Sequence, residues 1–365
     1  MTDVQLERLL RPLLEIYAQI ETGLLLNICE RLVTYQSIGG SLEWYIKKLQ
    51  ESGALNRANM ELISQKTGIA IPELTKMFSK VGISAIGGGI PFPAITALIQ
   101  ANIKDGTDIL RAINTKALES SQEAYRRTLT KAYTEVSSGT YSYNDAIKRA
   151  VVEMARDGIT GATYMRGDKE VKYSLESVVR RDVLTKAHQL AVEAQMANMR
   201  ELGHNLVYVS QHIGARVHLT DEWSDHAGWQ GKVYMLDGSS DKYRNLAEAT
   251  GYGDITGLAG VNCRHNISSY IEGVTRIPKQ IDIAENERVY QLTQRQRQLE
   301  RSVRQAKKLL DVAKTSEATK DDAALIKRLR RQLKSKTDTL DAFVNANPEL
   351  KRDYARTQVV EEWKV

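Results

Sequence analysis

The chain has few of the residues that stabilise secreted or membrane proteins. Its two cysteines, Cys29 and Cys263, lie far apart in 365 residues, give no disulfide framework and favour synthesis in a reducing compartment. It has no run of about 18 unbroken apolar residues, so no membrane-spanning helix is predicted. The N-terminal stretch carries acids early and has the spacing of an amphipathic helix, which does not match a secretory signal.

The chain also lacks the short motifs that bind nucleotides or build an esterase site. It has no Walker A sequence, no G-X-G-X-X-G that opens a helix after a strand, and no G-X-S-X-G elbow. The net charge of +6 is concentrated in residues 285–334, where 14 Lys and Arg stand against 7 Asp and Glu. This local charge of +7 leaves −1 for the remainder. We therefore expect a local polyanion contact rather than a nucleic-acid-binding fold as a whole.

Most of the chain has the period of amphipathic helices. In the helical N-terminal region, residues 1–89, four leucines, Tyr17 and an isoleucine recur at helical spacing. A second helix is predicted at residues 42–49, and another after Pro72, which suits a first helical turn. Three consecutive glycines and two prolines break the pattern within residues 82–100. That stretch is either a flexible loop between helices or an apolar loop docked on a partner subunit.

The long-helix region, residues 90–204, is divided by turn residues. Its apolar face over residues 94–136 predicts one long helix, ended by Gly139, and Gly158 closes the helix that follows. Candidate N-caps are Ser142 or Asn144 for that second helix and Ser174 or Ser177 for the third.

The period changes in a compact module, residues 205–278. The stretches LVYVS, GKVYML and ISSYI favour short strands, and eight glycines surround them. Five of the six histidines lie between His204 and His265, with two of the four tryptophans and one of the two cysteines. This crowding of chemically demanding residues indicates a site.

Helical periodicity returns in the basic tail, residues 279–365. Heptad positions are occupied by Val289, Gln296, Val303 and Leu310, by Leu292, Leu299, Ala306 and Ala313, and then by Ile326, Leu333 and Leu340. Because KTSEATKDD interrupts the repeat, the tail is predicted to be a coiled-coil-like helical hairpin. The expected fold class is therefore mainly α, with long helices, one small loop-rich α+β module and this hairpin.

One interpretation of the His/Cys/Trp module is a structural zinc site. The candidate ligands are His212, His226, Cys263 and His265, with His218 as an alternate. The Cys-X-His pair places two ligands close together, and a loop-rich module of about 70 residues gains stability from such a clip. The spacing matches no common zinc-finger pattern.

A second interpretation is hydrolysis by a metal-bound water. The pairs Asp225-His226 and His265-Asn266 supply a base and a ligand, and further carboxylates are available at Asp221, Glu222 and Asp254. A related hypothesis makes Cys263 a nucleophile, because Arg264 and His265 beside it favour a thiolate.

The third interpretation, favoured on physical grounds alone, is a polar network without chemistry. Trp229 and Tyr234 fill the core of the module, while Arg216 and Arg264 tie its loops by donating to backbone carbonyls and Asp254. The histidines and the cysteine are then satisfied members of the network, in a module that buries little apolar area.

Several short motifs follow one another in and before the module. They are VVRRDVLTKAHQ (178–189), SQHIGAR (210–216), HAGWQGKVY (226–234), TGYG (250–253), GLAGVNCRH (257–265) and YIEGV (270–274). In this order they resemble the phage minor capsid proteins, in particular the minor capsid protein 2 group within the wider Mu F-like head-morphogenesis proteins. The resemblance covers residues 90–278 and extends loosely over the helical N-terminal region. The network residues marked by these motifs are Arg216, Trp229, Gln230, Gly231, Tyr252, Asn262 and Arg264.

The resemblance implies a non-enzymatic structural component of a tailed-phage virion. It implies synthesis in the host bacterial cytoplasm, a place in the head interior near the portal vertex, and the portal protein and capsid interior as partners. The implied role is in head morphogenesis and genome packaging or delivery. Mu F-like relatives often have Cys-Arg-Cys where this chain has Cys263-Arg264-His265, an exchange compatible with zinc as the one candidate cofactor. The sequence assigns no membrane contact.

The basic tail is either a surface for packaged DNA, contacted without sequence specificity, or a solvated helical face. The candidate DNA contacts are Arg295, Arg297, Arg301, Arg304, Lys307, Lys308, Lys327, Arg328, Arg330 and Arg331. Two rival functions stay open, a metal-dependent nuclease or hydrolase and a DNA-binding accessory protein without portal contact.

Overall fold

Helices dominate the computed structural model, which describes residues 3–34, 39–166, 168–218 and 220–357. The helices are α1 (Asp3–Val33), α2 (Leu42–Gln50), α3 (Ser52–Ala85), α4 (Pro93–Ser137), α5 (Tyr143–Asp157), α6 (Leu175–Glu201), α7 (His226–Trp229), α8 (Leu246–Thr250), α9 (Ile283–Thr315) and α10 (Ala323–Asn345). The strands are β1 (Thr160–Arg166), β2 (Lys169–Ser174), β3 (Leu206–Val209), β4 (Val233–Met235) and β5 (Ile267–Ser269). The predicted fold class, mainly α with a small α+β module, is confirmed. No described helix is both long and apolar enough to cross a membrane.

Side-chain caps set several helix boundaries. The hydroxyl of Ser41 accepts a hydrogen bond from the Trp44 N–H at 3.1 Å and starts α2. Ser142 accepts one from the Asp145 N–H at 3.2 Å, so Ser142 is the N-cap of α5. Gly158, with a φ of 71°, ends α5 as predicted.

The prediction that Pro72 opens a helix was wrong, because Pro72 lies inside α3. Its ring is exposed, whereas Ala70 and Leu74 on either side of it are fully buried. Packing on both sides of the proline outweighs the loss of one backbone hydrogen bond, so the helix continues. The predicted break within residues 82–100 is present but shorter, because it spans only the connection between α3 and α4.

The segment between α5 and α6 forms an antiparallel hairpin, β1–β2, that has no clear signal in the sequence. Its register pairs Thr163 with Lys172 and Tyr164 with Val171. Charged residues in β2 obscure the alternating apolar pattern of a strand, and most of β2 is exposed. The hairpin therefore depends on cross-strand pairing, such as the edge-to-face contact of Tyr164 and Tyr173 at 5.5 Å.

The chain divides into two compact units, each built from three stretches. Unit 1 comprises Met1–Arg11, Ile71–Ile109 and Arg180–Arg295; unit 2 comprises Pro12–Ala70, Leu110–Val179 and Gln296–Val365. The four regions predicted from sequence (1–89, 90–204, 205–278 and 279–365) are consecutive segments, whereas each compact unit combines three separate stretches. The boundaries of the four regions therefore stay a prediction.

The core of unit 1 lies between a small sheet and one helix. The sheet is antiparallel in the order β4-β3-β5, and the strand stretches LVYVS, GKVYML and ISSYI supply it as predicted. Val207 and Val209 alternate onto one face of β3, where they share a cluster with Val192, Met196 and Met199 of α6. The apolar face of helix α6 and the apolar face of strand β3 thus pack against each other in one core.

Unit 2 is a helical core crossed by buried polar links. Asn59 of α3 is fully buried, accepts from Asn27 of α1 at 2.8 Å and donates to Ser121 of α4 at 3.1 Å. Because both polar atoms of the buried Asn59 amide are paired with neighbouring helices, this chain of hydrogen bonds links α1, α3 and α4.

From Gln296 onwards, the basic tail belongs to unit 2 and contributes to its core rather than forming an appendage. Val303, Val312 and Ala313 of α9 are at most 1% exposed. In α10, however, Ile326 and Leu333 at the predicted heptad positions are only half-buried. The buried stripe of α10 consists of Leu325, Leu329, Leu340 and Val344. Those intervals of 4, 11 and 4 residues follow a straight helix, so the coiled-coil character of the tail stays a prediction.

Candidate functional site

Four aromatic rings meet at the candidate site in unit 1. Trp229 of α7 is 3% exposed, and its ring lies 4.5 Å from His226 and 4.7 Å from His265. The centroids of His226 and His265 are 5.3 Å apart, and His212 stacks on His265 at 4.5 Å. His265 is thus in ring contact with the other three, on the polar side of the module's core.

A glycine-rich loop, residues 250–263, leads to the Cys-X-His pair. A Cβ at Gly257 would lie 2.1 Å from the carbonyl oxygen of Gly251, and one at Gly260 would lie 2.5 Å from the carbonyl oxygen of Ile255. Only glycine fits where the backbone approaches itself this closely. The winding of the loop is therefore fixed by backbone sterics.

The same loop places Cys263 in the interior. Ala259 and Asn262 adopt left-handed φ values of 59° and 61°, which non-glycine residues rarely adopt. Cys263 follows with its N–H donating to the Gly260 carbonyl at 3.1 Å, and its side chain is 5% exposed. The strained backbone of Ala259 and Asn262 is thus part of the turn that places the Cys263 thiol in the interior.

Arg216 ties this loop to the body of the module. Its guanidinium donates to the carbonyl of Thr256 at 3.3 Å and to that of Val261 at 2.8 Å. These are the carbonyl contacts expected of an arginine fork. Asp254 accepts from the N–H and the hydroxyl of Thr256 at 2.7 and 2.6 Å, which stabilises the same turn.

His226, Cys263 and His265 form a buried group of potential metal ligands. One ligand atom from each lies within 4.8 Å of the others. The Cys263 Sγ is 3.6 Å from the His265 Nδ1. The exposed fractions of the three residues are 2%, 5% and 0%, so the group is closed to solvent.

Hydrogen bonds to carbonyl-type oxygens fix the tautomers of both imidazoles. The His226 Nε2 donates to the Thr256 carbonyl at 2.8 Å, and the His265 Nε2 donates to the Gln230 Oε1 at 3.0 Å. The backbone N–H of His212 donates to the same Oε1 at 3.0 Å, which sets the orientation of the Gln230 amide. In both rings Nδ1 is therefore the nitrogen that keeps its lone pair.

Burial keeps the two imidazoles uncharged. Loss of solvation lowers the pKa of His226 to about 4, against a smaller opposing effect of its bond to Thr256. Burial also lowers the pKa of His265 well below its usual value, and the neighbouring His212 and His226 add to this. Neutral imidazole is the form that binds a metal or accepts a thiol proton.

The other module residues singled out by sequence surround this group in different ways. The φ of 71° at Gly231 favours glycine there, and a Cβ would also displace the end of the Gln211 side chain, whose Oε1 lies 2.7 Å away. Tyr252 packs against the core, and burial raises its pKa to about 12.

Two of the predicted network residues lie nearer the surface: Asn262 is exposed, and Arg264 is half-buried. Of the predicted ligands, His212 stacks on His265 but lies outside the ligand group. The alternate His218 is exposed, with its N–H donating to Asp225, and also lies outside the group.

The carboxylates proposed for hydrolysis serve local contacts. Asp221 accepts from the Ser224 hydroxyl at 2.8 Å, and Glu222 pairs with Arg244 at 2.6 Å on the surface. Among the described residues, the ligand group contains no carboxylate. The Thr256 carbonyl, which both His226 and Arg216 use, had no sequence signal, because every residue carries a carbonyl.

Two cations proposed as DNA contacts are committed to ion pairs in unit 2. Arg304 pairs with Glu176 at 2.9 Å, and Lys308 pairs with the buried Glu21 at 2.7 Å. Their side chains are only 12% and 13% exposed. Of the other predicted DNA contacts, Arg297 and Lys307 are half-buried. The exposed ones are Arg295 and Arg301 on α9, and Lys327, Arg328, Arg330 and Arg331 on α10.

A basic groove of about 930 Å³ lies between α5 and α10 in unit 2. Its cations are Lys148, Arg149, Arg156, Arg328 and Arg331, and its acids are Glu153 and Asp322. Lys148 and Asp322 pair across it at 3.0 Å. The contribution of α5 was not predictable from sequence, because that helix has no excess of basic residues and only the fold brings it beside α10.

Comparison with known proteins gives the same assignment as the motifs. Residues 1–88 and 92–345 match the family described as phage minor capsid protein 2. The chain belongs to this family. The match to the phage minor capsid protein 2 family includes the N-terminal helices, the histidine-rich module and both helices of the basic tail, and its gap falls in the exposed turn before α4.

A curated relative supports a structural role within this family. The chain is 24% identical over 345 residues to a protein named "Structural protein" from Lactococcus phage LL-H, over 86% of this chain and 88% of the relative. No solved structure matches the chain. Membership of the minor capsid protein 2 family places the chain among phage structural proteins.

Proposed function

We propose that the chain is a minor, non-enzymatic component of the head of a tailed phage. It associates with the portal vertex on the interior side and acts in head morphogenesis and in genome packaging or delivery. The match of residues 1–88 and 92–345 to a minor capsid family carries the proposal. The charge distribution supports it, because a near-neutral body suits docking to protein while a basic segment suits the packaged genome.

Cross-linking of purified phage heads tests the position at the portal. Mass spectrometry of the cross-linked peptides is expected to join this chain mainly to the portal protein. Co-purification of the two proteins, expressed together without other head proteins, is the second readout. Cross-links confined to the outer capsid surface, with no co-purification, would contradict the proposal.

A second component of the proposal is contact with packaged DNA in the basic groove. Arg328 and Arg331 of α10 face the groove with three cations of α5, so five cations stand against two acids there. Lys327 and Arg330 extend the exposed charge along α10. Fixed cations along one groove attract phosphates without reading bases.

Substitution of exposed cations in the full chain tests this contact. Truncating the tail is unsuitable, because α9 supplies core residues of unit 2. Replacing Arg328 and Arg331 together with Gln is expected to weaken duplex binding several-fold and to reduce the salt slope by about 2. Lys104 and Lys116 of α4, which pair with acids on the surface, serve as the matched control. If both double variants bound duplex DNA equally well, the groove would not be the DNA contact.

No described feature favours the rival nuclease. If the chain were a nuclease built on His265, the variant His265→Ala would lose cleavage of DNA while its melting temperature stayed unchanged. A structural His265, fully buried and bonded to Gln230, predicts the reverse: a lower melting temperature and no cleavage in either protein.

A further inference from the structure

We infer that His226, Cys263 and His265 hold one Zn²⁺ ion, which clips together the loops of the histidine-rich module. These three side chains come from α7, the end of the glycine-rich loop and the residue pair before β5. A metal at this point joins α7 to the end of the glycine-rich loop and to the residues before β5. The site does not depend on portal binding or on DNA contact.

The distance between two of the ligand atoms fits zinc. Zinc bonds of about 2.3 Å to sulfur and about 2.0–2.1 Å to nitrogen place the two ligand atoms about 3.6 Å apart across a tetrahedral angle. The Cys263 Sγ and the His265 Nδ1 are 3.6 Å apart. Thiolate and imidazole are the donor types that zinc prefers, and these three protein ligands leave the fourth tetrahedral position to a water molecule or a further protein atom.

The outer contacts of the ligands are those of a metal site. Imidazole ligands characteristically donate their other ring N–H to a carbonyl or carboxylate, which orients the ring and fixes its tautomer. His226 does this to the Thr256 carbonyl and His265 does it to the Gln230 Oε1. Arg216 donates to the same Thr256 carbonyl, so the oxygen that orients His226 is itself held in place.

The module's construction explains why a clip is useful. Its three strands have 3 or 4 residues each, and α7 and α8 have 4 and 5. Elements this short bury little apolar area, and small loop-rich modules are commonly stabilised by a metal. Because the ligands are at most 5% exposed, a substrate has no open path to the metal, and the inferred role is structural rather than hydrolytic.

The alternative is a metal-free hydrogen bond from the Cys263 thiol to the His265 Nδ1, and metal analysis of the full chain separates the two. The protein is purified in reducing buffer without a metal-affinity step, and its zinc is measured by mass spectrometry. About one Zn²⁺ per chain is expected. Zinc no higher than in the buffer blank, before and after incubation with a zinc salt followed by desalting, would overturn the inference.

Two further readouts identify the ligands. Exchange of zinc for Co²⁺ in the unaltered chain is expected to give a thiolate-to-cobalt charge-transfer band; cobalt binding without that band would refute a Cys263 ligand. The Cys263→Ser variant is expected to lose most of its zinc. The matched control is Cys29→Ser, which removes the other buried thiol, in unit 2, and keeps the metal. Equal zinc in both variants would also overturn the assignment.

A chelation experiment covers the case in which Cys263→Ser does not fold. In the unaltered chain, removal of zinc is expected to expose one thiol to a thiol reagent at least about tenfold faster. Cys29 stays protected, because burial raises its pKa to about 12. Identical thiol reactivity with and without chelator would leave only the hydrogen-bonded network.

Discussion

At the scale of single residues, backbone sterics decide the shape of the candidate site. The glycine-rich loop approaches itself so closely that a Cβ at Gly257 would lie 2.1 Å from a carbonyl oxygen. Backbone atoms cannot move aside as a flexible side chain can. Gly257 is therefore required for the path that brings Cys263 into the core.

We predict that Gly257→Ala lowers the free energy of unfolding by at least about 2 kcal/mol, because the added methyl forces the loop apart. The matched control is Gly68→Ala in α3, where a Cβ meets no atom within 4 Å. That change is expected to stabilise the helix by about 0.5–1 kcal/mol. Urea denaturation measures both, and equal effects of the two changes would contradict the close approach.

At the scale of elements, one ion pair connects three parts of unit 2. The Glu21 Oε1 of α1 accepts from the Ile159 N–H, just before β1, at 3.0 Å and from Lys308 of α9 at 2.7 Å. Glu21 is 4% exposed, and a Cβ at Gly158 would meet both charged groups. The carboxylate thus satisfies a backbone donor and a cation that have little access to water.

We predict that Glu21→Leu costs about 3–5 kcal/mol of unfolding free energy, because it leaves the largely buried Lys308 ammonium and a buried N–H without their acceptor. Thermal and urea unfolding measure the loss. Asp338→Leu is the control, since Asp338 also pairs with a lysine of the tail but lies on the surface. Its cost is expected to stay below about 1 kcal/mol. A Glu21 variant as stable as the control would show that the pair is not buried.

At the scale of the whole molecule, the basic tail combines two roles. One side of α9 supplies Val303 and Val312 to the core of unit 2, and α10 buries Leu329 on one side while Arg328 and Arg331 on its other side line the groove. A charged helix can do both, because its apolar stripe and its polar face point in different directions. Removing the tail therefore removes packing as well as charge.

We predict that a chain ending at Ala284 loses the cooperative unfolding of unit 2 rather than leaving a stable body without DNA affinity. The reason is the exposure of the apolar surfaces that α9 covers. Circular dichroism and gel filtration are expected to show lost helicity beyond the deleted residues and self-association. Retention of the original melting temperature would show that the tail is an appendage after all. The Arg328 and Arg331 double variant, which keeps the packing, is expected to melt like the unaltered chain.

The elements were predictable because their causes are local. Helical periodicity, the Ser142 cap and the terminating Gly158 act within a few residues, and the order of short motifs was enough to identify the family. Local rules failed at Pro72, where burial on both sides outweighed a helix breaker. They also failed at the β1–β2 hairpin, whose strands are stabilised by each other.

The sequence by itself determined the fold class and the module that contains the crowded histidines. Only the tertiary structure decided that His226 and His265 meet Cys263 while His218 stays outside, and that Lys308 pairs inside unit 2 while Arg328 faces a groove. The physical reason is range. Backbone preference and periodicity depend on neighbours in the chain, whereas side chains distant in sequence are brought together by packing, which buries some charges and leaves others in water.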